Sequence, residues 1–298
     1  MLSKRDSSRR VGEGRRAAPS KWPGMRLAIP SDEICPDFEA AVRTGRAWGI
    51  DWFEIRGLPS GRIPHVARKD LDAVTRLVDE QGVKISALSP GVFKVPLGAP
   101  EVARQMGETL PRTYALAQQW GAQIVIVFSF RTQDPTAADP PDAVVEALRR
   151  TASEAAQAGL KVVVENERSH WAGTGAQSAA LVRAVNHDNL RLNWDPGNAI
   201  AAGDTPYPEG YQAVRGLVGH LHIKDERRTG DGYEVVLPGD GEADWPGQFR
   251  ALLQDGFDGF YTVETHFGPR LETSEQAVAR VQRMLQEAAE GLRRGAEA

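Results

Sequence analysis

Lys161-Val162-Val163-Val164-Glu165 and Leu190-Arg191-Leu192-Asn193-Trp194-Asp195 are the runs from which the fold is read. Each is short, rich in β-branched or aromatic residues, and closes on a carboxylate before a turn, which is the pattern of a strand. Working outward, six further strands are expected at Arg26–Ile29, Trp52–Ile55, Lys84–Leu88, Ile124–Phe128, His220–Lys224 and Phe260–Glu264. Between them lie segments of helical period, such as Leu71-Val74-Leu77-Val78 and Val144-Val145-Leu148, and a last helix over Leu271 to Leu292. Gly82, Gly121, Gly159 and Gly256 stand just before strands, where a left-handed residue ends a helix. Eight strand–helix units imply parallel pairing and predict an α/β chain folded as a (β/α)8 TIM barrel over residues 25–298. A doubly wound open sheet is the competitor, but its glycine-rich phosphate turn is missing after the first strand, where the chain reads Ile29-Pro30-Ser31-Asp32.

The composition agrees with one sizeable globular domain. The chain has 298 residues, 41% hydrophobic and 26% charged, with a net charge of −4. The positive charge is concentrated in residues 1–24, which carry Lys4, Arg5, Arg9, Arg10, Arg15, Arg16 and Lys21 against Asp6 and Glu13. That segment reads as a disordered basic tail ahead of Met25, and no apolar stretch follows Arg9-Arg10 to make it an export signal. The acidic remainder argues against nucleic acid as a partner, and no apolar run is long enough to span a membrane. Cys35 is the only cysteine, so neither an intrachain disulfide nor a cysteine metal cluster can form, and a cytoplasmic location is expected. There is no Gly-Lys dipeptide for a Walker loop, no His-Glu-x-x-His and no Gly-x-Ser-x-Gly.

In such a barrel the chemistry sits at the C-terminal ends of the strands. Four consecutive strands end in Glu165, Asp195, His222-Ile223-Lys224 and Glu264. Alternation along each strand puts Val162 and Val164, Leu192 and Trp194, Leu221 and Ile223, and Tyr261 and Val263 on one face. The polar set, including Asn193, His220, His222 and Thr262, takes the other face, which points into the barrel. Three carboxylates and an imidazole at one mouth repel one another unless a cation joins them, so one divalent metal ion is expected. Oxygen-rich donors with one imidazole suit Mn²⁺, Mg²⁺ or Co²⁺, and Zn²⁺ also fits.

The runs Val164-Glu165-Asn166-Glu167, Asn193-Trp194-Asp195-Pro196-Gly197-Asn198, His220-Leu221-His222-Ile223-Lys224-Asp225 and Val263-Glu264-Thr265-His266 resemble the sugar phosphate isomerase/epimerase family. These are the xylose isomerase-like barrels, including ketose 3-epimerases, inosose dehydratases and hydroxypyruvate isomerases, and the resemblance extends over residues 25 to 290. It implies that Glu165, Asp195, His222 and Glu264 are metal ligands and that Arg228, six residues after His222, binds substrate. Asn198 stands where the epimerases place a substrate-contacting histidine.

The expected chemistry is proton abstraction next to a carbonyl through a metal-stabilised enediolate, in a keto-sugar or related polyol, with Glu165 and Glu264 as the acid/base pair. Lys224 is expected to hold a substrate oxygen, and His170, on the loop with Trp171, a hydroxyl. Gly239-Asp240-Gly241 precedes the last strand, but Asp240 and Glu242 would repel phosphate, which favours an unphosphorylated substrate. Glu54 and Arg56 read as an ordinary ion pair. A dehydratase using the same intermediate is the alternative; a non-catalytic sugar-binding barrel and an abasic-site endonuclease follow. The partner is a small molecule, and a homo-oligomer is compatible with the sequence.

Overall fold

A computed structural model describes residues 25–230 and 232–297, so the basic tail expected over residues 1–24 lies outside the described residues. The barrel strands are β1 (Arg26–Pro30), β2 (Trp52–Ile55), β3 (Lys84–Leu88), β4 (Ile124–Val127), β5 (Lys161–Glu165), β6 (Leu190–Trp194), β7 (Val218–Ile223) and β8 (Phe260–Val263). They pair in parallel and close in the order β1-β8-β7-β6-β5-β4-β3-β2. The eight-stranded (β/α)8 barrel expected from the sequence is therefore the fold. Strand bounds move by a residue or two: β6 ends at Trp194 and β7 begins at Val218.

Alternation divides the strands as the sequence pattern requires. Val162, Val164, Leu192, Trp194, Leu221, Ile223, Tyr261 and Val263 pack outward into the main core beneath the helices. A separate small cluster of Ala28, Ala87, Ile124, Ile126, Val163 and Phe260, with Trp52 against it, fills the barrel floor. A fully buried aliphatic or aromatic side chain contributes about 1.5–3 kcal/mol, so both layers resist rearrangement. The ladders are irregular between Phe53 and Glu54 and between Leu192 and Asn193. Such irregularities re-aim side chains, and here they adjoin Glu54 and Asn193, which enter the polar layer above the floor.

The helices end where glycine permits it: Gly82 and Gly121 adopt φ of 61° and 69° as left-handed caps. The last helix spans Arg270–Glu297, longer than the expected Leu271 to Leu292. Two antiparallel hairpins were not expected: Gly57–Leu58 with Gly61–Arg62, and Asp225–Thr229 with Gly232–Val236. Both are short or largely exposed and lie beyond the barrel strands, so they lack the apolar alternation that marks a core strand. Among the described residues, no helix is long and apolar enough to cross a membrane.

Candidate metal centre and substrate cavity

Glu165, Asp195, His222 and Glu264 converge at the C-terminal mouth of the barrel, with one ligand atom from each lying within 4.8 Å of the others. All four residues are buried. Each is oriented by a neighbour, and in Asp195, His222 and Glu264 one polar atom is left free. Asp195 caps the helix Pro196–Ala201 by accepting from the Asn198 amide at 2.9 Å through Oδ1. Its Oδ2 turns into the site, 3.1 Å from Lys224 Nζ, without accepting a hydrogen bond. Glu165 accepts from Asn193 at 3.1 Å and from Asn198 at 3.4 Å. The Oε1 of Glu264 is held by the Arg56 guanidinium and lies 2.9 Å from His266 Nε2, while its Oε2 accepts nothing. His222 points Nε2 at Glu54 Oε2, 3.0 Å away, and Nδ1 at the carboxylates of Glu264 (3.3 Å) and Glu165 (3.5 Å).

Asp195 Oδ2, His222 Nδ1 and Glu264 Oε2 are thus buried polar atoms with no hydrogen-bond partner, aimed at a common space. Their electrostatics show the same deficit of positive charge. Burial, reinforced by Glu264 and Glu165, pushes the Asp195 carboxyl up to about 7 despite Lys224. Burial disfavours a charged imidazole at His222, yet Glu54, Glu264 and Glu165 hold its pKa well above the ordinary histidine value. In Glu264, burial is outweighed by His266 and His222, which keep the carboxyl well below its usual range. Without a cation, protons must hold these groups together. A divalent ion fits the donor set, three carboxylates and one imidazole, and would replace those protons.

Beneath this site lies a polar layer that the sequence reading did not assemble. The expectation that Glu54 and Arg56 form an ordinary ion pair is corrected. Glu54 is fully buried and faces His222 and His220. Burial opposes its ionisation, but the two histidines bring its pKa down to about 2. Arg56 instead joins Asp32, Glu33 and Glu264. His220 lies deeper than His222 and meets Thr262 Oγ1 at 3.0 Å, so the second histidine of the pair is the one at the mouth. Both Glu54 and Arg56 were legible in parity: Trp52, Glu54 and Arg56 alternate with Phe53 and Ile55, which pack outward.

A cavity of about 880 Å³, lined by Glu165, His222 and Glu264 among others, opens at this mouth, a size suited to a small metabolite. Asn198 and Lys224 line it. The amide of Asn198 is, however, engaged on both ends: Nδ2 donates to the Asn166 carbonyl at 2.9 Å, and Oδ1 accepts from Lys224 Nζ at 2.5 Å. A Cβ on Gly197 would sit 2.9 Å from Lys224 Cε, so glycine there makes room for the lysine stem. His170 is buried at the wall of an adjoining cavity of about 340 Å³, its ring 6.1 Å from Phe128, which lines the main one. Arg228 is a correction. It lies on the outer hairpin, ties to Glu242 and the Asp204 carbonyl, and does not line the cavity. A polar hairpin carries it away from the strand end, which spacing from His222 could not reveal. The amides of Gly239, Gly241 and Ala243 are taken by the Asp225 carboxylate at 2.8–3.2 Å. Asp240 and Glu242 pair with Arg280 and Arg228, so neither carboxylate is left to screen the cavity from anions.

Comparison with known proteins agrees with this architecture. The sequence matches the xylose isomerase-like TIM barrel family over residues 42–288. It is 26% identical over 141 residues to an inosose dehydratase of Lacticaseibacillus casei, a stretch covering 41% of this chain and 46% of that relative. The chain therefore spans about half the length of the curated relative it matches. An L-ribulose 3-epimerase structure is similar with a TM-score of 0.70 at 20% identity, covering 92% of this chain and 97% of that one. A xylose isomerase-like TIM barrel protein from Mycobacterium smegmatis, solved in complex with magnesium, has a TM-score of 0.67 at 20% identity, covering 84% and 88%. At such identities the likeness to the solved structures is one of fold, whereas the family match extends over most of the sequence. This chain belongs to the xylose isomerase-like TIM barrel family.

Proposed function

We propose that this protein is a divalent-metal-dependent isomerase or epimerase of a keto-sugar or related polyol. The observation that carries the proposal is the convergence of Glu165, Asp195, His222 and Glu264 on one buried space, with three of their polar atoms lacking partners. These four side chains would hold the ion, and their hard oxygen donors suit Mn²⁺, Mg²⁺ or Co²⁺, with Zn²⁺ also compatible. When bound, the ion supplies a Lewis acid for a substrate carbonyl oxygen.

The chain's own residues supply the proton chemistry. Against the cost of burial, neighbouring positive groups keep both Glu165 and Glu264 ionised, so either can accept a proton from the carbon beside the carbonyl. Glu264 is fixed through Oε1 by Arg56 and His266, which holds its carboxylate in place at the cavity wall. Lys224, buried at the cavity wall, can donate to a substrate oxygen.

The sequence relationship to an inosose dehydratase supports a second reading, in which the same proton abstraction is followed by loss of a β-hydroxyl. That path needs an acid for the leaving oxygen, a role open to the Lys224 ammonium at the cavity wall.

A panel of ketoses and inososes, incubated with metal-loaded protein in D₂O and followed by NMR, tests the proposal. Deuterium is expected at the carbon beside the carbonyl of a turned-over substrate, with Glu165→Gln and Glu264→Gln each abolishing it. Retention of the carbon skeleton's oxygens supports epimerisation, and loss of one water supports dehydration. No exchange or turnover across the panel, or near wild-type turnover in both variants, would contradict it.

A further inference from the structure

Six cationic and five carboxylate side chains line the main cavity. Several are already matched: Arg56 with Asp32, Glu33 and Glu264, Lys94 with Glu167 at 2.9 Å, and Lys224 with Asp195. Arg62, Arg168 and Arg270 are different. Among the described residues none of the three forms an ion pair. Arg62 donates through Nε to the Ser89 carbonyl at 3.2 Å, and Arg270 donates to the Asp32 carbonyl at 2.6 Å. Carbonyl oxygens orient a guanidinium without neutralising it.

Arg62 is the best fixed of the three. It ends the short hairpin Gly57–Leu58/Gly61–Arg62, and its side chain lines the cavity. Its guanidinium lies on the backbone of Gly91, where a Cβ would stand 2.8 Å from Nε and 3.0 Å from Cζ. Gly91 also has φ of 73°, so both space and backbone conformation favour glycine there. With Nε committed to Ser89, the two terminal nitrogens have no partner among the described residues. Burial and the neighbouring Arg56 disfavour this charge, while Asp32, Glu165 and Glu264 favour it. A divalent ion held by Glu165 and Glu264 would compensate those two carboxylates and leave Arg62 only Asp32, which Arg56 already holds. Arg62 is exposed to the cavity mouth, and a guanidinium held in place there with its two terminal nitrogens turned to the cavity matches a carboxylate or phosphate far better than a hydroxyl.

We propose that the substrate carries an acidic group, a carboxylate or a phosphate monoester, remote from its reacting carbonyl, and that Arg62 binds it with Arg168 and Arg270 beside it. This inference rests on the metal-dependent reading of the same cavity and names the substrate class for it. It sets aside the sequence-based preference for an unphosphorylated sugar, since the acidic loop behind that preference is tied up in its own ion pairs.

The test is calorimetric titration of metal-loaded protein with three probes of one carbon skeleton: D-fructose, D-fructose 6-phosphate and D-fructuronate. Metal content is measured on the same samples. At least one acid is expected to bind about tenfold or more tighter than the neutral ketose, as charge-assisted hydrogen bonds imply. Arg62→Ala should reduce that preference to about twofold or less while retaining its metal, and Arg62→Lys should restore only part of it. The phosphate and carboxylate arms tell which acid the rim prefers. Equal binding of the neutral ketose and both acids, failure of both acids to bind, or a preference that survives Arg62→Ala overturns the inference. Loss of the acid preference with metal content intact leaves the metal-dependent reading standing. Absence of metal sinks that reading separately, and the acid preference of the metal-free protein still reports on Arg62.

Discussion

His222 and Glu54 meet at 3.0 Å through Nε2 and Oε2, and that contact decides which face of the imidazole is offered to the metal site. With a proton on Nε2 donated to Glu54, Nδ1 keeps its lone pair for the space shared with Glu165, Asp195 and Glu264. Carboxylates in this position raise the basicity of a ligating histidine and fix its ring.

Removing that carboxylate is expected to weaken the metal site without touching a ligand. Glu54→Ala should lower divalent-metal affinity about 10–100-fold, the usual effect of losing such a partner. Glu54→Gln keeps an acceptor for Nε2 and should lose less. Competition against a chromogenic chelator reads both variants, and an unchanged affinity in Glu54→Ala would show that His222 is oriented by something else.

Arg56 is expected to matter for stability out of proportion to a single ion pair. It stands among Asp32, Glu33 and Glu264, and Glu33 is fully buried. Arg56→Met strands these carboxylates and should cost about 3–5 kcal/mol in urea unfolding, as breaking a buried pair does. Arg68→Ala, which removes an exposed helical pair with Asp72, should leave the unfolding midpoint nearly unchanged. Similar shifts for the two variants would deny Arg56 its structural role.

How much of this was legible in the sequence depends on which signal each residue carries. Glu165, Asp195, His222 and Glu264 were legible because each ends a core strand whose apolar alternation fixes its direction. Glu54 and Arg56 carry the same parity signal, with Phe53 and Ile55 packed outward, but their adjacency suggested a pair between themselves. Their real partners are far away in sequence, at Asp32, Glu33, His220, His222 and Glu264, and only barrel closure brings them near. Arg228 failed for the opposite reason. A hairpin intervenes between the strand end and its side chain, and spacing along a chain does not report a change of direction.

Alkaline pH is expected to destabilise the protein through its buried tyrosines. Burial raises the pKa of the Tyr114, Tyr211 and Tyr261 phenols above the ordinary 10.0, and Tyr211 is raised further by its bond to Asp255. In the unfolded chain these phenols ionise near pH 10, whereas in the folded protein they stay protonated. The unfolded state then binds fewer protons, so stability is intact below pH 10 and falls as pH rises beyond it. Each phenol should contribute a slope of about 1.4 kcal/mol per pH unit until its own folded pKa is reached. Tyr261 has no hydrogen-bond partner for its hydroxyl, so Tyr261→Phe should remove one share of that slope at little cost near neutrality. Urea titrations at a series of pH values check the sign, and a flat or rising stability above pH 10 would refute it.

The central claim is that four strand ends hold one metal ion, and elemental mass spectrometry on protein purified without chelator measures it most directly. Asp195→Asn is the matching variant, because asparagine can still accept from the Asn198 amide to cap its helix while the anionic ligand is lost. About one divalent ion per chain is expected in the wild type and little in the folded variant. No ion in the wild type, even after incubation with Mn²⁺, Mg²⁺, Co²⁺ and Zn²⁺, or equal retention in both proteins, would contradict it.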